Sequence, residues 1–338
     1  VHGGGIYHAQ KYRVAPSTMP SHLHWFKWEA YTTWASGIFL LALVYWHGAQ
    51  VYLLPGDGAL SAPVAIGIAV AYIVGGWLIY DVLCKSPLAR DARVFGGLLL
   101  LLTGVLAWSL CELYSGRGAY IHFGAVLGTI MVANVFFVII PGQKKMVAAV
   151  ERGETPDPEP GIRAKQRSVH NTYFTLPVLF VMTSNHYAMV YGHEYNWLIL
   201  VGISLAGALI RIYFVARHKG KASPLPVVIA AVLLAGIAWA VAPQPAADHK
   251  ADASFAQVRS VIHARCTSCH SSDPLHPAFA VAPLGVMFDT DEQIIAGADR
   301  IHQQTVATRV MPIGNLTAMT EEERQIIDAW YQAMRSAQ

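Results

Sequence analysis

The sequence predicts an all-α protein in two parts. A polytopic transmembrane helix bundle occupies residues 1–242, a linker 243–253, and a small soluble helical domain 254–338. Three observations lead there. Of 338 residues, 54% are hydrophobic and only 13% charged, too apolar for an ordinary soluble protein. The apolar residues concentrate before residue 243, in seven runs each long enough to cross a bilayer. Beyond the Pro/Ala stretch 242–247 the composition becomes soluble, and that part carries the pentapeptide Cys266-Thr267-Ser268-Cys269-His270.

The seven runs lie at about 31–54, 61–83, 94–114, 119–141, 169–190, 196–216 and 224–242. The net charge of +3 is not diagnostic, but its distribution is. Lys11, Arg13 and Lys27 precede the first run. Lys85, Arg90 and Arg93 follow the second. Lys144, Lys145, Arg152, Arg163, Lys165 and Arg167 fill 142–168, and Arg217, Lys219 and Lys221 fill 217–223. The alternate loops, 55–60, 115–118 and 191–195, hold only Arg117. The positive-inside rule places the basic loops in the cytoplasm. Seven crossings then deliver residue 243 to the periplasmic side of a bacterial inner membrane. The chain starts at Val1 in a polar stretch with no initiator Met, so an eighth helix is expected upstream. Nothing in the sequence points to nucleic acid; the implied surroundings are lipid.

The pentapeptide is the C-x-x-C-H attachment signature of c-type haem. The thiols of Cys266 and Cys269 add covalently to the haem, and His270 is held where an imidazole nitrogen ligates iron. Attachment occurs outside the cytoplasmic membrane, in agreement with the charge argument. A redox disulfide or half a zinc site also uses C-x-x-C, but the second pair that structural zinc requires is absent. A helical pattern runs from about Phe255 to Arg265. Met311, followed by Pro312 in a loop-like segment, is the candidate sixth ligand, ahead of Met287 and Met319. Thr320 and Glu323 form a capping box that opens a last helix, and Trp330 and Tyr331 on it face the first. Together these features resemble a class I cytochrome c domain. His263, His276 and His302 read as surface residues. Cys84 and Cys111 read as inert small hydrophobes.

Further motifs carry a second resemblance. Residues 1–8 (VHGGGIYH), 23–34 (LHWFKWEAYTTW), 171–177 (NTYFTLP) and 184–187 (SNHY) resemble the bacterial membrane-bound, cytochrome c-linked urate hydroxylase (urate oxidase) family. The resemblance covers nearly the whole chain. It implies eight helices, oxidation of urate to 5-hydroxyisourate, and electrons leaving singly through one covalent haem c. The acceptor it implies is a soluble cytochrome c or a terminal oxidase rather than dioxygen.

Ionisable residues within membrane helices are costly and become functional candidates. His47, Glu112, His122 and His186, with Asn185, fall towards the outer ends of four runs, on the side of the haem domain. They are the candidate catalytic set, supplying a base for urate or water; residues near helix ends also simply reach water. His47 paired with His122 or His186 can alternatively hold a second haem or a metal in the membrane domain. Tyr114, Tyr187, Tyr191 and Tyr195 read as an interfacial aromatic belt. Towards the inner side lie His24, Lys27, Glu29, Asp81, His170, Asn171 and Arg211, with Arg211 expected to pair with Asp81. The Gly3-Gly4-Gly5 run suits either an anion's approach to the backbone or a flexible turn, and His2, His8, His22 and His24 show no ligand spacing that demands a metal.

The competing reading is a respiratory electron-transfer subunit oxidising quinol, which uses the same His and Glu chemistry. A transporter is disfavoured, because no inverted repeat or paired broken helices are present.

Overall fold

The computed structural model describes residues 27–55, 60–217, 220, 223–242 and 253–336. The Gly3-Gly4-Gly5 run, His2, His8, His22 and His24, and linker residues 243–252 lie outside them. The described residues contain helices, turns and loops and no strand.

Helix α1 (Lys27–Leu41) runs into a π-helical turn, Ala42–Trp46, and after a break at Gly48 comes the short α2 (Ala49–Tyr52). Helices α3 (Ala62–Lys85) and α4 (Ala92–Leu113) come next. Then come α5 (Gly116–Ala133), a second π-helical turn, Asn134–Ile139, and α6 (Ile140–Glu151). Helix α7 spans Glu159–Thr183, α8 Ala188–Tyr191, α9 Asn196–Arg217 and α10 Leu225–Val241.

Among the described residues, four helices are long and apolar enough to cross a membrane: Ala62–Lys85, Ala92–Leu113, Gly116–Glu151 and Asn196–Arg217. The other three expected spans are built differently. The first is interrupted at His47 and Gly48. The fifth, α7, has Glu159, Arg163, Lys165 and Arg167 in its first half. The last, α10, has 17 residues. The expected loop 142–168 is largely helix, because Lys144 to Ala149 are mostly strong helix formers that continue α5 into α6. Helix α6 then packs back on α7.

Helix α5 is the centre of the bundle, in contact with α1, α3, α4 and α7. Its Tyr120, His122 and Phe123 are fully buried. Small residues allow the close approaches that helix packing in lipid relies on. A Cβ on Gly124 would stand 2.8 Å from the Val181 side chain, and one on Gly207 3.0 Å from that of Leu176. Lys85, Arg90, Arg93 and Arg217 mark one end of the bundle, the basic end. The C-terminal module seats on the opposite end, the module end.

The module packs α11 (Phe255–Arg265), α12 (Asp291–Ala296), α13 (Ala298–His302) and α14 (Glu321–Ser336) around Val258, Ile262, Phe288, Ile294, Ile327 and Trp330. Its first and last helices form as expected. Helix α11 covers Phe255–Arg265, and the Thr320–Glu323 box closes with Thr320 N donating to Glu323 Oε2 at 2.8 Å and Glu323 N to Thr320 Oγ1 at 3.3 Å. The Phe255 and Trp330 rings lie 5.9 Å apart. Loop 310–315 joins module to bundle. Val310 packs against the bundle core, the turn Ile313–Asn315 lies on α2, and a Cβ on Gly314 would sit 3.8 Å from that of Ser115.

Two local expectations change. Of the four belt tyrosines, Tyr187 and Tyr195 are exposed, but Tyr114 and Tyr191 are buried. Tyr114 is drawn inward because its hydroxyl donates to the Ala65 carbonyl at 2.9 Å. His302, expected at the surface, stacks on Tyr331 and bonds Asp328 at 2.9 Å.

Candidate functional site

The module end is organised by Ser115-Gly116-Arg117-Gly118, the N-cap and first turn of α5. Ser115 caps α5, its Oγ accepting from Gly118 N at 3.1 Å and donating to the Tyr52 carbonyl at 2.8 Å. Its own N–H donates to the Leu53 carbonyl at 2.9 Å. The turn is wedged between backbones. A Cβ on Gly116 would collide with the Tyr191 carbonyl oxygen, and one on Gly118 would lie 2.9 Å from that of Tyr52. Both flanking residues must therefore be glycine, and they fix where Arg117 leaves the chain. Gly116→Ala is expected to cost on the order of 1–3 kcal/mol, the usual cost of overpacking. Thermal unfolding in detergent should show it, and an unchanged midpoint would contradict the wedge.

Arg117 points into an aromatic and amide cluster. Its Nε donates to Asn185 Oδ1 at 3.1 Å and to the Tyr45 hydroxyl at 3.2 Å, and Tyr45 donates to the same Asn185 oxygen at 3.2 Å. The guanidinium lies 5.1 Å from the centre of the Tyr52 ring. The π-helical turn after α1 is what turns Tyr45 and Trp46 inward, and such turns often mark functional sites. His122 completes the cluster. Its Nδ1 faces the Gly118 carbonyl at 2.8 Å, and its Nε2 faces the Trp46 indole N–H at 3.1 Å. Indole only donates, so Nε2 accepts and Nδ1 carries the proton. The ring is neutral with both nitrogens engaged, and acting as a base requires Trp46 to let go.

The four expected catalytic residues do not gather in one buried site. His122 is fully buried, whereas His47, Glu112 and His186 are exposed. Among the described residues, no hydrogen bond, ion pair or ring contact joins those three to the His122 cluster. Sequence reasoning misses Arg117 and Tyr45 as site residues. The available signal is that Arg117 alone interrupts loops otherwise free of basic residues.

In the module, Cys266 and Cys269 are free thiols at the end of α11. His270 Nδ1 meets the Val286 carbonyl at 3.0 Å. That bond fixes the tautomer and leaves Nε2 with a free lone pair, as the outer-shell partner of a metal-binding histidine does. Burial pushes the Cys266 thiol up to about 12. Hydrogen bonds from Ser271 and Ser272 hold the Asp289 carboxyl below the usual range, and Asp289 Oδ2 anchors Ser272 N at 2.8 Å just past the motif. Arg265, just before the motif, donates to Glu323 at 3.0 Å and to the Thr317 carbonyl at 2.5 Å, tying the motif to the last helix. Met311 is half-buried, Met319 is in the core at 4% exposure, and Met287 is 36% exposed. Among the described residues no group of three or more His, Cys, Asp or Glu converges as a bare-ion site. A haem iron asks only two ligands of the protein, and the thiols and the open His270 Nε2 fit it.

At the basic end, α3, α7 and the second π-helical turn build another network. Arg167 Nη2 donates to Asp81 Oδ1 at 2.7 Å and Nη1 to Asn134 Oδ1 at 3.3 Å. Asn134 Nδ2 reaches Asn171 Oδ1 at 2.8 Å and the Tyr80 hydroxyl at 3.2 Å. His170 Nδ1 meets that hydroxyl at 2.8 Å, and its ring stacks on Phe95. The expected Arg211–Asp81 pair is not formed. Asp81 takes Arg167 and Lys85 instead, because Lys85 is one turn along the same helix and α7 brings Arg167 against α3. Arg211 Nε has no hydrogen-bond partner among the described residues. Lys27 lies over the Trp28 ring.

Residues 1–242 match the model of the urate oxidase N-terminal family. No curated protein and no solved structure matches the chain.

Proposed function

The chain belongs to the urate oxidase N-terminal family, and from that premise we propose that it is a membrane-bound oxidoreductase converting urate and water to 5-hydroxyisourate. Two protons and two electrons leave per turnover. The observation that carries the reading is the family match over residues 1–242. The contact of loop 310–315 with α2 and Ser115 supports a working connection between bundle and module.

The module is read as a class I cytochrome c domain. Cys266 and Cys269 would hold haem c covalently, and His270 and Met311 would be the protein's two iron ligands. When bound, haem c accepts electrons one at a time and passes them on outside the membrane. The bundle's part is to bind the planar anion, exclude bulk water and take up protons. His47, Glu112, His122 and His186 remain the proposed source of a proton acceptor. His122 ranks first by position, its Nε2 being the one imidazole lone pair inside the cluster. A positioned base is worth about 10²–10⁴-fold in rate.

Anaerobic addition of urate to the purified holoprotein should reduce the haem, whereas a quinol should not. Reduction by quinol alone would favour a respiratory electron-transfer subunit. If all four of His47→Ala, Glu112→Gln, His122→Ala and His186→Ala, checked for haem content, reduce it at normal rates, the proton acceptor lies elsewhere.

Seven crossings of the bacterial inner membrane with a periplasmic module are part of the same proposal. A cysteine introduced at exposed Glu322 should react with an impermeant maleimide in whole cells, and one at exposed Arg163 should not. The reverse pattern would overturn the orientation.

A further inference from the structure

We propose that Arg117, steadied by Tyr45 and Asn185, is the residue that binds the anionic edge of the substrate, a planar anionic heterocycle. The inference rests on the function proposed above and names the group at which substrate is recognised.

Arg117 is half-buried, and its polar partners are a tyrosine hydroxyl and a carboxamide oxygen, both neutral. No carboxylate among the described residues lies within ion-pair distance of it. The other half-buried or buried arginines with hydrogen bonds behave differently. Arg167 is paired with Asp81 and Arg265 with Glu323, while Arg324 is spent on the Thr305 and Met311 carbonyls. A guanidinium kept away from bulk water without a counter-ion is costly, and an incoming anion removes that cost.

The guanidinium also has donors to offer. Only Nε is committed, to Asn185 and Tyr45; the terminal Nη1 and Nη2 donate to no other described residue. Those two nitrogens belong to the fork that meets a planar anion bidentately. The stem cannot drift, because Gly116 and Gly118 wedge the turn and Tyr52 covers one side of the guanidinium.

The position suits electron transfer to the module. Ser115, two residues before Arg117 in the same turn, is the residue that a Cβ on Gly314 of the module would meet. An anion on Arg117 is thus bound where bundle and module join.

The test uses the full-length holoprotein in detergent with urate as the probe. Equilibrium binding of radiolabelled urate and the urate concentration for half-maximal haem reduction are both measured. Haem content and reduction by ascorbate serve as folding controls. Losing a hydrogen bond to a charged group is worth roughly 10- to 100-fold in affinity. Arg117→Gln should therefore weaken binding and raise half-saturation by about that factor. Arg117→Lys should recover only part, having a point charge in place of the fork. Tyr45→Phe should show a smaller loss, of several-fold. If Arg117→Gln fails to assemble, the other two variants decide, and half-saturation within twofold of the parent in both overturns the proposal. Haem reduction by urate that is indifferent to Arg117 also overturns it while leaving the proposed function intact. Arg117-dependent urate binding without haem reduction supports the site and overturns the proposed electron route.

Discussion

Met311→Ala is expected to leave the proposed haem c covalently attached while removing one of its two proposed protein ligands and lowering the reduction potential. A Met/His axial pair raises the potential of a c-type haem. The fall should be a measurable part of the roughly 0.8 V over which axial ligands tune haem iron. The assignment draws on how the loop is held. Met311 N donates to the Gln304 carbonyl at 3.0 Å, and its own carbonyl accepts from Arg324 at 3.1 Å. The backbone is therefore fixed on both sides while the side chain remains half-buried. Met319 is committed to the module core, its N–H bonded to Asn315 Oδ1 at 2.9 Å. Met319→Ala should instead destabilise the module by about 2–5 kcal/mol with an unchanged haem spectrum. Redox titration and visible spectra of the three methionine variants separate these outcomes. Loss of the sixth ligand in Met287→Ala or Met319→Ala, and not in Met311→Ala, would reassign the site.

Asp81→Asn is expected to be among the most damaging single changes in the bundle. It removes the carboxylate facing Arg167, whose side chain is 4% exposed, and leaves that guanidinium buried with only neutral acceptors. Breaking one partner of a buried pair costs about 3–5 kcal/mol, mostly as the penalty on the stranded charge. Removing that charge as well should reverse much of the loss, so Asp81→Asn with Arg167→Gln should unfold at a higher temperature than Asp81→Asn alone. Lys85 also contacts Asp81, but its side chain is 65% exposed and reaches water without help. Thermal unfolding of the set in detergent checks this. A double variant no more stable than the single would mean that Arg167 is not the stranded group.

The parts legible in the sequence are those decided over a few residues or by depth. Helix α11 and the Thr320–Glu323 box are legible because a cap is an interaction between residues three apart. The apolar runs are legible because spanning depends on length and composition, which four helices satisfy plainly. The family resemblance lies in short motifs and agrees with the match over 1–242.

Where each residue lies along a helix is written in the sequence, and with it which polar groups share an end of the bundle. Which way those groups face is settled by packing alone. His122 is buried while His47, Glu112 and His186 are exposed, and Asp81 meets Arg167 rather than Arg211. The physical reason is that rise per residue is constant along a helix, whereas rotation about its axis is set by its neighbours. A helix apolar on most faces, such as α10, carries no amphipathic stripe to reveal that rotation. The two π-helical turns add to this, since each departs from the regular helical repeat and resets the facing of the residues after it. One turns Tyr45 and Trp46 into the cluster, and the other places Asn134 in the network with Arg167.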